Sequence, residues 1–386
     1  MQEKNSTLMA LSTAAMVLNS LSNNANANPP DQKTSVDYRY THYQEDPLDA
    51  AKVIEGSLDR YTIDVHQLKI KAPVADDTEL VFSGVLESMS GASPWYVVPD
   101  ANGTPVQVMS GATIDEARTE VGVDFRSYNS RSESTLSLSH SAENDYTSFA
   151  FGYAGQWRMN QNRATLSWGL NASKDFIDAT DADIYPGRPT EETKNRVGGF
   201  AGFSYVMTKN RLMGINLGVS NMDGYLSDPY KLAWVDNDIV QDSRPGTLNL
   251  MNASLLLREY FPKADAALHF DLHFYQNDWE VTSGTVDIAW YQNLGDKGWQ
   301  LIPSLRYYSQ TAAIFYQPYY ATARRDGYYS SDYRLSEFNA VSGRIKLSKS
   351  WSRVTANLLY ESYAASGDHP ALLSFNMVSL GISGNF

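Results

Sequence analysis

The amino-acid sequence predicts an all-β chain, a transmembrane antiparallel β-barrel of about sixteen strands with short periplasmic turns and long extracellular loops. Three observations predict it. Strand-length segments alternate apolar and polar side chains, the reversals between them swing between short and long, and the last segment ends in an aromatic residue.

Composition allows this reading and removes others. The chain has 386 residues, 42% of them hydrophobic, and a mean hydropathy of −0.39. It contains no run approaching the roughly 20 apolar residues of a membrane helix. A barrel escapes such a scan because lipid-facing and lumen-facing residues alternate and average out. The 25 Tyr, 14 Phe and 8 Trp suit β-structure and interfacial girdles. Without cysteine there is no disulfide, cysteine nucleophile or thiolate metal site. The net charge of −13 argues against nucleic acid, which selects basic surfaces. No cofactor is implied.

The amino end reads as a secretory signal over residues 1–27. Leu8 to Leu18 is an apolar run, Lys4 is a thin basic region offset by Glu3, and Ala25-Asn26-Ala27 is a small-x-small cleavage triplet. Residues 28–34 read as a flexible lead and 35–386 as the barrel. At the carboxyl end, Val378, Leu380, Ile382 and Phe386 share one face, opposite Ser379, Gly381, Ser383 and Asn385. A terminal aromatic closing such a strand is expected to be read by the barrel-assembly machinery, which makes Phe386 an assembly signal.

Between the ends, tight turns are expected at Pro73–Thr78, Asn129–Glu133, Met159–Arg163, Thr208–Arg211, Phe261–Asp265, Asn293–Gly298 and Lys349–Ser352, all rich in reversal-permitting residues. Long loops are expected at Glu45–Ser57, Ser90–Glu116, Ser173–Lys194, Asp223–Thr247 and Thr311–Arg334, so that long and short connections alternate. The period-two pattern is plain in several segments. Leu268, Phe270, Leu272 and Phe274 oppose His269, Asp271 and His273. Leu301, Pro303, Leu305 and Tyr307 oppose Ser304 and Arg306, and Val121, Val123 and Phe125 oppose Glu120, Asp124 and Arg126.

Six ordered blocks carry a family resemblance: Tyr38–Glu45, Ser90–Pro94, Ser110–Thr113 with Asp115–Arg118, Tyr225–Lys231, Pro303–Gln310 and Ser330–Leu335. Together they resemble a proteobacterial family of exported proteins filed under a domain of unknown function. The resemblance implies an outer-membrane barrel and a genomic association with a small lipoprotein, a thioredoxin-like protein and a flavin transferase. It implies no activity and no catalytic residues.

The candidate functional residues line the polar phase. Arg39, Arg118, Glu120, Asp124, Arg126, Arg306, Arg344 and Lys346, with Asp37, Glu87 and Glu361, form charge rows that either order solute passage or pair to rigidify the interior. His269, Asp271 and His273, at i, i+2 and i+4, are a possible metal or proton-relay set if a neighbouring strand contributes. Asp175, Asp178, Asp181 and Asp183 crowd one outer loop and offer oxygen ligands of the kind calcium takes, against a solvated acidic loop as the default. The aromatic stretch Phe315–Tyr329, with Arg324 and Arg325, reads as a rim cap in preference to a constriction or a stacking site. An enzymatic barrel needs a nucleophile and a His near the outer rim. His42 and His140 fall on the lipid phase and His369 has no serine motif, so an outer-membrane hydrolase is the least favoured class.

The expectation is a cell-outer-membrane barrel that passes small solutes through a charged lumen. The alternative is a non-conducting barrel that sheathes or secretes a small lipoprotein or redox partner. Expected partners are membrane lipid, lipopolysaccharide, the assembly machinery and, through the resemblance, a small lipoprotein.

Overall fold

The computed structural model describes residues 33–110, 114–185 and 187–386. The signal segment and the block residues Gly111–Thr113 lie outside the described residues.

Sixteen strands close into one antiparallel barrel. They are β1 (Ser35–Glu45), β2 (Thr62–Ala75), β3 (Thr78–Gly91), β4 (Ile114–Tyr128), β5 (Ser132–Ala142), β6 (Tyr146–Met159), β7 (Ala164–Ile177) and β8 (Glu192–Thr208). The second half comprises β9 (Arg211–Gly224), β10 (Thr247–Phe261), β11 (Ala266–Asn277), β12 (Thr282–Asn293), β13 (Trp299–Gln310), β14 (Phe338–Ser350), β15 (Val354–Ser366) and β16 (Ser374–Asn385). Each strand pairs with its chain neighbours, and β1 closes the ring on β16 from Ser35↔Asn385 to Glu45↔Phe375. The Phe386 N–H extends this seam by donating to the Thr34 carbonyl at 2.8 Å.

Closure leaves no edge strand. Sixteen strands spaced by about 4.8 Å and tilted by roughly 40° close at a diameter of about 30 Å between backbones, wider than side chains alone can fill.

Register sorts the side chains. Val121, Val123 and Phe125 stand beside Leu138, Leu136 and Phe82 on the exterior, and the same phase carries Val197, Leu217, Val219, Leu255, Leu305, Ile345, Leu380 and Ile382, all exposed. Trp157, Trp299, Trp351 and Phe386 lie exposed at the periplasmic ends. A closed barrel with a continuous apolar belt and a charged interior is stable only with that belt in lipid. The protein is an outer-membrane β-barrel.

The periplasmic turns fall where the sequence places them. At residues 160–162, Asn, Gln and Asn take φ of 50, 57 and 65° in succession, a left-handed reversal that short polar side chains tolerate. The outer connections depart from expectation. Those at 143–145 and 278–281 are as short as the periplasmic turns, so long and short do not alternate strictly. The loops at 46–61, 92–110, 225–246 and 311–337 are structured. Val53–Glu55, Pro94–Pro99 and Pro105–Met109 make a three-stranded sheet. Leu232–Val235 and Asp238–Gln241 form a hairpin turned by Asp236 and Asn237, both at positive φ.

Candidate functional site: the lumen and its outer cap

The outer loops meet one another across the mouth. The Lys231 ammonium, in the β9–β10 loop, donates to the Pro94 carbonyl in the β3–β4 loop at 2.8 Å. The Tyr319 hydroxyl, in the β13–β14 loop, donates to the Gly103 carbonyl of that same β3–β4 loop at 2.8 Å. These loops stand on widely separated flanks of the ring, so their bonds span it.

A buried ionic clasp holds the bridge. Arg334 bonds Asp228 at 2.7 Å and grips Asp332, while Arg244 bonds Asp332 at 2.9 Å and Asp242 at 2.8 Å. Asp332 and Asp242 are almost wholly buried. Burial opposes charge on Asp332, yet Arg334, Lys231 and Arg244 together hold its carboxyl well below the usual range. Burial pushes the Asp242 carboxyl up against the pull of Arg244. On the underside, Arg60 bonds Glu45 at 2.7 Å and lies 5.7 Å from the Tyr333 ring. His369 is buried: its Nε2 meets the Ser331 carbonyl at 2.9 Å and its Nδ1 accepts from the Ala371 N–H. Burial lowers its pKa to about 4, so it is neutral at physiological pH.

The aromatic stretch belongs to this cap. Phe315 packs against Trp279 with ring centroids 5.3 Å apart, and the Tyr320 hydroxyl donates to the Phe315 and Ser330 carbonyls. Apolar packing around Leu248, Trp279, Val281, Phe315 and Leu335 gives the cap a small core.

Below the cap, every residue of the charge rows sits on the lumen phase, but they differ in company. Arg118 meets Glu87 at 3.2 Å and also pairs with Glu120. Arg126 meets Asp124 at 3.1 Å and Glu79 at 3.5 Å, and Arg158 meets Glu133 at 3.4 Å. Arg306 and Arg344 share Asp287, at 2.8 and 3.1 Å. Arg39 and Lys346 have no carboxylate within 4.0 Å among the described residues.

Among the described residues, neither metal set read from sequence draws its ligand atoms together. Asp175 is not in the loop: it ends β7 facing the lumen, buried, 3.3 Å from Lys194 and accepting from the Ser148 hydroxyl. Asp181 lies 3.9 Å from Arg188 across the loop, and Asp183 is exposed. On β11, Asp271 is held by Arg258 at 2.7 and 3.0 Å, while His269 stacks on Tyr291 at 4.1 Å. Period two spreads such a trio along the wall, and the cross-strand neighbour is an arginine. The acids that do converge were not evident in the sequence. Glu116, Glu143 and Asp145 bring carboxylate oxygens within 4.8 Å of one another at the outer rim. Burial, then Asp145 and Glu116, raises the Glu143 carboxyl to about 8. Glu116 comes from another hairpin, so local spacing carries no signal for the group. The lipid-phase histidines remain outside: His42 bonds Asp64 at 2.9 Å and His140 packs on Phe149 at 4.5 Å.

No curated protein matches the chain by sequence. The chain is similar to a bacterial polysaccharide outer membrane secretin (10% identity, TM-score 0.49, covering 92% of this chain and 99% of that one). It is similar to a BenF-like porin from Pseudomonas fluorescens Pf-5 (9% identity, TM-score 0.47, covering 93% and 100%). It is similar too to Pseudomonas aeruginosa OccK2 (OpdF) in complex with glucuronate (10% identity, TM-score 0.45, covering 92% and 96%). A family model, described as Protein of unknown function (DUF3570), matches residues 8–376.

Proposed function

The chain belongs to the family described as Protein of unknown function (DUF3570), and from its barrel we propose that it is a capped pore. Small polar solutes cross the outer membrane through its lumen, and the outer cap sets when they pass. The observation that carries this reading is the wet wall beneath the cap. Arg39 is exposed and the Arg306 side chain keeps 41% exposure inside a barrel too wide to be filled by side chains. Charges left hydrated in a lumen lower the barrier to a polar solute.

The cap is the natural gate. Its loops are tied by the Asp332 clasp, so a solute, a partner or a change in the outer surface that loosens those ion pairs would open the mouth. A second reading is favoured by the bridged mouth itself. A small exported lipoprotein entering from the periplasmic end would meet a ceiling, and the barrel would then sheathe it.

Single-channel recording in planar bilayers separates the two. The wild-type barrel is expected to open briefly and rarely, and Arg334→Gln to raise the open fraction by severing Asp228 from Asp332. A barrel that inserts yet stays silent with Arg334→Gln sinks the pore; copurification of a small lipoprotein would then favour the sheath.

A further inference from the structure

The lumen cations divide into paired and unpaired sets, and three of the unpaired ones are gathered in one place. Arg118, Arg126, Arg158, Arg258, Arg306 and Arg344 each have a carboxylate within 4.0 Å. Arg39, Lys69 and Lys346 have none among the described residues. Arg196, on the far side of the ring, faces the lumen without a carboxylate as well, but it is bonded to Ser220.

Register places the three on the closure seam. Lys346 on β14 aligns through Leu359 and Ser379 with Thr41 on β1. Arg39 is the next lumen-facing residue down β1, between Gly381 and Gln67. The next again is Asp37, whose cross-strand partner on β2 is Lys69. Arg39 and Asp37 are about 7 Å apart along β1, and Lys69 is one strand over. Lys346 stands three strands away, about 14 Å across the wall, so the cations form an open ladder that their long side chains bridge.

The wall between them is low and, apart from Leu359, polar. Thr41 donates to the Ser379 hydroxyl at 2.9 Å, and Gly381 offers no side chain where a Cβ would meet the Asn357 amide at 2.8 Å. Asp37 offsets one of the three charges, and the buried Glu361 stands opposite Arg344, one lumen-facing position from Leu359. Above Thr41 on the lumen face stands an aromatic shelf. Phe375 stacks on Tyr363 at 4.7 Å and 14°, both half-buried, with the buried Tyr43 packed behind Phe375 at 4.6 Å.

We propose that this ladder and shelf form a binding site for small organic anions, an acid group joined to a flat apolar body. The acid meets Lys346 and Arg39, and the body lies against the half-buried Phe375–Tyr363 shelf. Unpaired cations at the edge of water attract such an acid with little desolvation cost, because no protein carboxylate has to be displaced. The site deepens the pore reading and rests on it for its role in transport, but its binding chemistry can be tested apart from conduction.

The first arm measures reversal potential under a KCl gradient and block by benzoate, for wild type, Arg39→Gln with Lys346→Gln, and Arg196→Gln as an off-ladder control. The wild type is expected to select anions, and to be blocked by benzoate more strongly than by acetate. A unit charge about 7 Å from a permeating ion in water-like surroundings changes its local concentration by about threefold, so each neutralised rung should cost about that factor in selectivity. Cation selectivity in the wild type, or an equal loss in Arg196→Gln, overturns the ladder while leaving the pore intact. The second arm titrates benzoate into the detergent-refolded barrel by calorimetry, with folding checked by heat-modifiable gel mobility. If the barrel never conducts, binding heat that vanishes in the double variant and returns with Arg39→Lys supports the site although the pore reading has failed. No heat in the wild type overturns the site.

Discussion

Two walls of the same lumen, built by the same alternation on strands of similar length, treat their charges in opposite ways. Around β3–β6 two arginines are dry and a third nearly so: the Arg118 side chain keeps 3% exposure, that of Arg158 5% and that of Arg126 20%, each against glutamate. Around the closure seam, Arg39 is exposed and has no carboxylate within 4.0 Å among the described residues. Register decides the difference. It sets Glu87 directly across from Arg118 and Glu79 across from Arg126, but Gly381 and Gln67 on either side of Arg39. Here the arginines opposite glutamates are part of the wall, and the one opposite glycine is left to meet whatever enters. A charge row cannot be assigned to structure or to solute contact until the neighbouring strand is in place.

The largest effect should come from breaking the dry wall. Arg118→Gln leaves Glu87 and Glu120 buried without their cation, and removing one partner of a buried pair costs about 3–5 kcal/mol. Arg39→Gln should cost under about 0.5 kcal/mol, as changes outside packed or paired sites do. Urea unfolding of the two variants in detergent micelles, followed by tryptophan fluorescence, checks the contrast. Equal losses would abolish the distinction between the walls and make the seam cations structural.

The sequence alone carries much of this and stops at a definite point. Period two in Leu268–Phe274 or Val121–Arg126 states which side chains face lipid, because a strand's two faces are written in one local stretch. The periplasmic reversals are legible for the same reason: residues 160–163 hold turn chemistry in place. What is not local is not legible. Nothing near Arg118 announces Glu87, which lies a whole outer loop away in sequence. The loop holding Asp332 gives no sign of Arg244 or of Pro94. The aspartates at 175, 178, 181 and 183 look like a cluster because they are close in sequence. Folding puts Asp175 on a strand and turns it toward Lys194, whereas Glu116, Glu143 and Asp145 converge from two hairpins.

That convergence yields the next test, at the upper edge of the dry wall where acids outnumber cations. Glu143 has its pKa raised from the ordinary 4.5 to about 8. Between those values the folded chain holds a proton that the unfolded chain has lost, so stability falls as pH rises. Its contribution is fully present below about 4.5 and gone once pH passes about 8. Glu143→Gln removes the titration. Wild type should therefore lose unfolding midpoint across this window, and the variant should lose less and be the more stable of the two at pH 9. Parallel profiles would mean that Glu143 ionises freely and that the rim is wetter than its burial indicates.

The smallest effect is expected between the extremes, at Asp287, where both kinds of wall meet. Arg306 and Arg344 approach this carboxylate together, and the Arg306 side chain is 41% exposed. Arg306→Gln leaves Asp287 with Arg344, so no charge is orphaned. The lost pair is half-solvated, which limits its worth to about 0–1 kcal/mol. The conductive effect should exceed the structural one, because the variant turns a wet lumen cation into a neutral amide. Urea midpoints and reversal potentials on the same preparation decide it. A loss of stability near that of Arg118→Gln would place Arg306 in the dry wall, and the boundary between the walls would then move past β13 toward the seam.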